Sequence, residues 1–296
     1  MILTEKRKTA LAGFFFISPW LIGLIVMQLG PMFYSMYLSL NNFDLFRPPT
    51  WVGLGNYQKL LTNDKLFWTA LGNTAYYVVG RVPFALMLSL FVAVLLNQKI
   101  PLRSFLRTAY YLPSVTPQIA MIMLWIWLFD PQWGLINWFL GLFGIPGLPW
   151  LASVEWAKPS LILMSGWSIG ATMIIFLAGL QGVPEHLYEA AELDGATTLR
   201  KIWHVTLPMI SPVIFFNVVM GVISSFQMFE KAFVMTGGGP GYATFVYALY
   251  IYNQAFMWFR MGYGAALAWV LFAILFVFTY IMFRRQAWVY YEAGGR

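Results

Sequence analysis

Residues 181–210 read QGVPEHLYEAAELDGATTLRKIWHVTLPMI, a polar segment between two apolar stretches, and this segment decides the fold. Its first part, residues 185–194, holds four acidic side chains and no Lys or Arg. Three of these acids are spaced three and four residues apart, so a helix places them on one face. Gly195 is expected to end that helix and Pro208 a second, shorter one. The segment therefore predicts two short helices that meet at a glycine.

The acidic face of this elbow, defined as residues 184–208, indicates a protein partner rather than lipid. Helices that rest on the inner leaflet are rich in Lys and Arg, which attract anionic headgroups. Ala190 and Ala191 are small, so another surface can approach them closely. We interpret the elbow as a docking site for another protein, with a helix lying on the membrane surface as the alternative.

Outside the elbow, the chain has the composition of a membrane protein. Of its 296 residues 60% are hydrophobic and 10% are charged, and the mean hydropathy is +0.69. A soluble domain carries about 25% charged residues, so a two-domain soluble enzyme is excluded. Six apolar stretches approach or exceed the roughly 20 residues of a membrane-spanning helix. They are Leu11 to Leu40, Thr69 to Leu96, Phe105 to Phe129, Leu161 to Leu180, Ile210 to Phe229 and Gly264 to Phe283. The sequence predicts an all-α integral membrane protein with six transmembrane helices, with the elbow between the fourth and fifth.

The sequence offers little for catalysis. There is no cysteine, which excludes structural disulfides and thiolate metal sites. No cluster of His and acids has ligand spacing, and the Gly-x-x-x-x-Gly-Lys-Ser/Thr phosphate loop is absent. We expect no catalytic residue, metal or cofactor in this chain, and an energy source in another subunit.

The basic residues predict the orientation. With the amino terminus inside, eleven of the 18 fall in inner segments and six in outer segments, Lys231 among the latter, while Arg81 lies within a span. The positive-inside rule thus places both termini in the cytoplasm. The expected organisation is a cytoplasmic amino terminus at 1–10, a first helix and external loop at 11–68, a transmembrane domain at 69–283 and a cytoplasmic tail at 284–296.

The elbow has the signature of a known family. It reads Glu-Ala-Ala, three residues, Gly, nine residues, then Val205-Thr206-Leu207-Pro208. This resembles the inner-membrane permease subunits of binding-protein-dependent ABC importers, whose signature ends in Ile-x-Leu-Pro and differs only at Val205. Further fragments resemble the carbohydrate branch, similar to the maltose and glycerol-phosphate permeases. They are Ser18-Pro19-Trp20, residues 51–57, residues 107–113 and residues 236–240.

The resemblance implies a type I ABC importer permease in a bacterial plasma (inner) membrane. It implies that the chain translocates a carbohydrate, an oligosaccharide or a related polyol derivative. The expected partners are a second homologous permease subunit, a cytoplasmic ATPase dimer, an external solute-binding protein, the carbohydrate substrate and membrane lipid, with no nucleic acid. The elbow would transmit closure of the ATPase, through the residues Glu189, Ala190, Ala191, Asp194, Gly195, Leu207 and Pro208.

Two other functions compete with this interpretation. Residues 166–170 match the Gly-x-Ser-x-Gly nucleophile motif, which suggests an intramembrane hydrolase using Ser168. The two histidines, His186 and His204, lie in the elbow, so a GxxxG helix-packing face is the competing reading. An ATP-independent carrier is the other function, and the elbow disfavours it.

Arg81 lies about 18 Å into the second apolar stretch at about 1.5 Å per residue. An arginine at that depth costs about 2.5–3.5 kcal/mol on insertion scales. Three interpretations stay open: contact with a second permease subunit, contact with a substrate that carries carboxylate or phosphate, and snorkelling along a kink at Pro83. The predicted substrate pathway comprises Arg81, Trp167, Ser168, Ser224, Ser225, Gln227 and Met228.

Overall fold

The computed structural model describes residues 5–98 and 100–290. Parts of the predicted cytoplasmic segments lie outside the described residues, namely residues 1–4, Lys99 and residues 291–296. The described chain is mainly helical, with one antiparallel pair of two-residue strands in which Asn41 faces Trp51 and Asn42 faces Thr50.

The helices follow one another along the whole described chain. The α-helices are Glu5–Gly23, Gly30–Ser39, Gly55–Thr62, Lys65–Asn97, Arg103–Val115, Gln118–Leu128, Leu135–Leu142, Ala157–Ser165, Gly170–Gln181, Glu185–Leu193, Thr198–Lys201, Leu207–Met209, Ser211–Phe226, Glu230–Thr236, Tyr247–Tyr252 and Met261–Arg284. Short π-helical segments are Leu24–Leu29, Ile202–Thr206 and Asn253–Met257, and 3₁₀ turns are Trp150–Ala152, Gly166–Ser168 and Gln286–Trp288. The strands are Asn41–Asn42 and Thr50–Trp51.

Only part of the expected set of spans is straight. Within the described residues, Thr9–Ser39, Lys65–Asn97 and Met261–Arg284 are long and apolar enough to cross a membrane. Three further candidates are helix pairs with a sharp bend, so the number reaches six if each pair is one span. Each pair is named after the predicted span that it contains. The third pair is Arg103–Val115 with Gln118–Leu128 at 98°, the fourth is Ala157–Ser168 with Gly170–Gln181 at 51°, and the fifth is Thr198–Met209 with Ser211–Phe226 at 68°. The third and fourth apolar stretches, expected to be uninterrupted helices, are therefore broken.

Local sequence explains the bend between Arg103–Val115 and Gln118–Leu128. Thr116 precedes a proline, and its extended backbone at φ −73° and ψ 139° is the conformation that a following proline favours. The expectation that Pro208 ends the second elbow helix is wrong. Pro208 lies in the first turn of Leu207–Met209, where its missing N–H is not needed, and the break falls at Ile210 instead.

The chain divides into two compact units. The first contains the described residues up to Asp64 together with Ile251–Ala273. Its polar contacts are local: Asn56 donates from Nδ2 to the carbonyl oxygens of Ser39 and Asn41 at 2.8 and 3.0 Å. These bonds hold the chain where the first span ends.

The second unit, Lys65–Tyr250 with residues from Ile274 onward, contains the larger core. Val92, Ala93 and Leu96 of the second span are buried against Phe176 and neighbouring side chains of the fourth. A second buried cluster joins the bent third and fourth pairs, and consists of Met121, Ile122, Trp125, Phe129, Trp150 and Met164.

Two glycines of the fourth pair allow the helices of this unit to approach closely. A Cβ at Gly166 would lie 2.9 Å from the Phe84 ring, and one at Gly170 would lie 2.7 Å from the Tyr111 Cα. Neither position has room for a side chain without movement of its neighbour. The Gly-x-Ser-x-Gly sequence thus serves helix packing here, and it lies at a 3₁₀ break rather than inside a continuous helix.

Candidate functional site

A cavity of about 550 Å³ lies within the second unit, at the places where its helices are broken. The bend of the third pair contributes Thr116 and Gln118, and the bend of the fourth pair contributes Ser168. The middle of the second span contributes Tyr77 and Arg81. Three elements that are distant in sequence therefore meet around one space.

The fifth span supplies the cavity from its last turn and from the break beyond it. Ser211–Phe226 ends at Gln227, and the chain is not helical again until Glu230. Gln227, Met228, Glu230 and Lys231 all line the cavity. Polar and charged side chains are thus presented where the backbone leaves the helix.

Arg81 is held within the chain by the fifth span. It has sixteen residues of the helix Lys65–Asn97 on either side and is half-buried. Its Nη1 donates to Gly221 O at 3.1 Å, Ser224 Oγ at 2.9 Å and Ser225 Oγ at 2.7 Å. These bonds fix the guanidinium at the cavity through contacts within this chain, which were not among the expected contacts of Arg81, and the contact with a second permease subunit stays a prediction.

The structure brings most of the predicted pathway residues together. Five of them line the cavity: Arg81, Ser168, Ser224, Gln227 and Met228. Ser225 is buried and contacts the cavity indirectly, through its bond to Arg81. Trp167 is not among the lining residues, and its ring packs edge-on against Trp125 with centroids 6.1 Å apart.

Two charged residues of the cavity, Glu230 and Lys231, are absent from the sequence-based prediction. Lys231 was assigned to an external segment only by its position after an apolar stretch. In the structure it is half-buried and lines the same cavity as Arg81. The pKa of Lys231 is lowered to about 8, mainly by burial and also by the nearby positive charge of Arg81, while Glu230 opposes both effects. The sequence signal for these residues is the presence of Gln227, Glu230 and Lys231 directly after a span.

The elbow has a well-defined glycine turn. The helix Glu185–Leu193 is followed by Gly195 at φ +72°, a left-handed conformation that glycine adopts without strain. The Gly195 N–H donates to Glu192 O and the Ala196 N–H to Ala191 O, each at 2.9 Å. This is the Schellman arrangement of a helix end.

The two arms of the elbow are tied to each other by side chains. Glu192 accepts a hydrogen bond from Lys201 Nζ at 2.5 Å, and Tyr188 Oη lies 3.0 Å from Thr206 Oγ1. One of the three acids on the predicted face is therefore used internally. The second arm passes through the π-helical segment Ile202–Thr206 before it reaches the fifth span.

The outer side of the elbow is left open. Glu189, Ala190 and Asp194 are exposed. Large apolar side chains are exposed beside them, with Leu193 90% accessible and Trp203 62% accessible. An exposed apolar surface bordered by acids is typical of a protein contact. Among the described residues no group of three or more His, Cys, Asp or Glu is placed to hold a metal ion.

With this geometry in place, comparison with known families identifies the class of protein. Residues 85–289 match the family described as binding-protein-dependent transport system inner membrane component. The chain belongs to this family, which confirms the resemblance drawn from the elbow signature. It is a multi-pass membrane protein, a permease subunit without catalytic activity, and it depends on partner proteins for transport.

Individual relatives agree over nearly the whole length. The chain is 40% identical over 292 residues to the probable ABC transporter permease protein YesP of Bacillus subtilis (strain 168), covering 97% of this chain and 94% of that one. It is 34% identical to the arabinooligosaccharides transport system permease protein AraP of Halalkalibacterium halodurans, over 94% and 88% of the two chains. The structure of a bacterial alginate ABC transporter in complex with alginate pentasaccharide-bound periplasmic protein matches at a TM-score of 0.82 and 22% identity, with 95% of each chain covered. That likeness supports the type I importer fold.

Proposed function

We propose that this chain is one of two permease subunits of an ABC importer and that the 550 Å³ cavity is part of its path for a carbohydrate. One observation carries the proposal: the bends of two helix pairs, the end of the fifth span and the middle of the second span meet at a polar space inside an otherwise apolar unit. Within a bilayer, non-helical backbone is tolerated only where protein or a water-filled cavity satisfies its polar groups. Transporters use such discontinuous helices to build their substrate sites.

The lining of the cavity suits a sugar. Hydroxyl and amide groups from Thr116, Ser168, Ser224 and Gln227 can exchange hydrogen bonds with sugar hydroxyls. Tyr77 contributes an aromatic side chain to the same lining. The cavity volume of about 550 Å³ is within the roughly 300–1,000 Å³ of small-molecule sites. Relatives named for sugar transport, such as the arabinooligosaccharide permease, support the same substrate class.

The same cavity argues against hydrolysis by Ser168. Its lining in the described part of the chain includes no histidine, and the two histidines of the sequence lie in the elbow. Within the described chain Ser168 donates no hydrogen bond to Glu230, Lys231 or any other side chain that could act as a general base, and a serine without one is not activated as a nucleophile. The cavity therefore binds and passes a solute without reacting with it.

The elbow is the proposed coupling element. Its exposed Glu189, Ala190 and Asp194 would enter a cleft of a cytoplasmic ATPase dimer, with Leu193 as the apolar contact. The ties between Glu192 and Lys201 and between Tyr188 and Thr206 make the two arms move together. A push on the first arm then reaches the fifth span, which contributes to the cavity.

The proposed topology places both termini in the cytoplasm and an external solute-binding protein on the opposite side. Cysteine labelling in this cysteine-free chain tests it. Single cysteines at Tyr57 and Tyr242 should react with an impermeant maleimide on intact cells. Cysteines at Ile100 and Ala190 should react only after permeabilisation, and external labelling of Ala190→Cys would overturn the topology.

The function is tested on the reconstituted complex of both permeases, the ATPase and the cognate external protein. We expect members of a glycan panel to stimulate ATP hydrolysis and to enter proteoliposomes only when ATP is supplied. Uptake without ATP would indicate a carrier. Absence of uptake for every glycan, in a complex whose external protein binds one of them, would contradict the proposal.

A further inference from the structure

The cavity contains more positive than negative charge although it lies among apolar helices. Its titratable lining consists of Tyr77, Arg81, Glu230 and Lys231. At neutral pH two cations therefore face one carboxylate. A solute in the cavity experiences a net positive surrounding.

Neither cation is neutralised within the chain. Among the described residues, neither Arg81 nor Lys231 forms an ion pair, and the three bonds of Arg81 go to neutral oxygen atoms. Glu230 is exposed and pairs with neither of them. A charged side chain without a partner is unfavourable in an apolar environment. In membrane proteins such a residue therefore indicates a functional site.

The geometry of Arg81 leaves its other donors free for a ligand. All three of its bonds use Nη1, which anchors one corner of the guanidinium to the fifth span. A guanidinium has five N–H donors in a planar fork that matches the two oxygens of a carboxylate. The anchored side chain is therefore held in advance for an anionic group.

We infer that this cavity selects a carbohydrate that carries a carboxylate, as a uronic acid does, with Arg81 and Lys231 binding the carboxylate while the hydroxyl and amide groups bind the ring. This inference rests on the proposed function, because it specifies the solute that the same path accepts. An acidic side chain of the second permease subunit is the competing partner for the two cations. The experiment below separates the two.

The test measures uptake by the full complex in proteoliposomes. The probes are trimers of galacturonate, glucuronate and mannuronate, their carboxyl-reduced neutral counterparts, and neutral arabino-oligosaccharides. The variants are Lys231→Gln, Lys231→Arg and Glu230→Gln, with Lys65→Gln as a control that changes a lysine outside the cavity lining. All variants use the same external protein, so its own preference cancels in the comparison.

We expect acidic trimers to be imported in preference to their neutral counterparts. Lys231→Gln should raise the KM for the acidic trimer about tenfold or more, since a hydrogen bond to a charged group is lost. Lys231→Arg should restore it, Glu230→Gln should lower or preserve it, and Lys65→Gln should match the wild type. All variants should retain the second permease subunit on purification.

Different failures have different meanings. Import restricted to neutral glycans would overturn the inference and leave the proposed function intact. An unchanged KM in Lys231→Gln, or loss of the second permease from that variant, would also overturn it. Absence of import for every glycan would instead contradict the proposed function itself.

Discussion

The cavity and the elbow place charge in opposite ways. In the cavity, the cations Arg81 and Lys231 lie 150 residues apart in the chain and line the same space. Arg81 comes from the middle of the second span and Lys231 from just beyond the break after Phe226. In the elbow, acids from one continuous segment face outward beside exposed apolar side chains. A charge that faces the cavity is accessible to a solute inside it. A charge on the exposed side of the elbow is accessible to a whole protein surface. The two regions should therefore respond differently to the same kind of substitution.

The largest effect is expected at the glycine of the elbow, with Gly195→Trp. Within the described chain nothing lies within 4 Å of a Cβ at this position, so the new side chain points into open space. Its left-handed backbone costs a non-glycine residue roughly 1–2 kcal/mol. A bulky ring would in addition keep a partner surface away. We expect insertion at normal levels with loss of ATPase co-purification and of ATP-driven uptake.

The matched control is Gly195→Asn, because asparagine tolerates the left-handed region and is small. It should retain most of the uptake. If Gly195→Trp co-purifies with a fully substrate-stimulated ATPase, the elbow is not the coupling element. If Gly195→Asn fails as badly as the tryptophan variant, the backbone rather than the open surface is responsible.

The second effect concerns the cavity and is tested by Arg81→Met. The substitution keeps an unbranched apolar side chain but removes the charge and the bonds to Gly221, Ser224 and Ser225. We expect a fall in kcat/KM for the transported solute of about tenfold to a hundredfold, since hydrogen bonds to a charged group contribute roughly 1.5–3 kcal/mol each. Unlike Gly195→Trp, this variant should keep its ATPase and its basal hydrolysis.

Arg81→Lys serves as the control, since it keeps the charge and loses the planar fork. It should show an intermediate KM. Unaltered uptake in Arg81→Met, measured with the same external protein, would show that the arginine only snorkels. Loss of the second permease from the purified complex would instead assign Arg81 to the subunit contact.

A smaller effect is expected for Glu189→Lys in the elbow. The side chain is exposed, so stability should hardly change. Reversing its charge replaces an attraction with a repulsion if the partner surface is positive, which affects association more than the folded chain. We expect about tenfold weaker ATPase binding that is partly restored at high salt, which screens the repulsion. Glu155→Lys, also exposed but outside the elbow, is the control and should bind normally.

The first helix of the elbow and its end at Gly195 could be predicted from the sequence, whereas the second elbow helix and the cavity could be predicted only in part. The helix end at Gly195 depends on residues within one turn, so a local pattern is sufficient. Ser224 and Gln227 were found because polar residues inside or at the end of a span are conspicuous. Lys231 was missed because its role depends on the distant Arg81 and on the break after Phe226, which a count of charges per loop does not reveal.

The smallest predicted effect is a pH dependence that belongs to the cavity alone. Lys231 lies beyond the candidate span Ser211–Phe226, and burial followed by the charge of Arg81 lowers its pKa to about 8. The charged groups that face it are Arg81 and Glu230.

The direction follows from the sign of the charge. Lysine is charged below its pKa, so about nine-tenths of Lys231 is protonated at pH 7 and about one-tenth at pH 9. If the protonated form binds an acidic solute, the KM should rise up to about ninefold between these pH values, because the binding-competent fraction falls in that ratio. Lys231→Arg should flatten this rise, since arginine stays charged throughout.

The control is the ratio of the wild-type KM to the Lys231→Arg KM at each pH. This ratio removes the pH dependence of the ATPase and of the external protein, because the wild-type and the variant complexes share both. A ratio that does not change between pH 7 and pH 9 would mean that the proton on Lys231 is not involved in binding the solute. The elbow variants that retain uptake, Gly195→Asn and Glu189→Lys, should show the wild-type profile, because neither changes a group that faces Lys231.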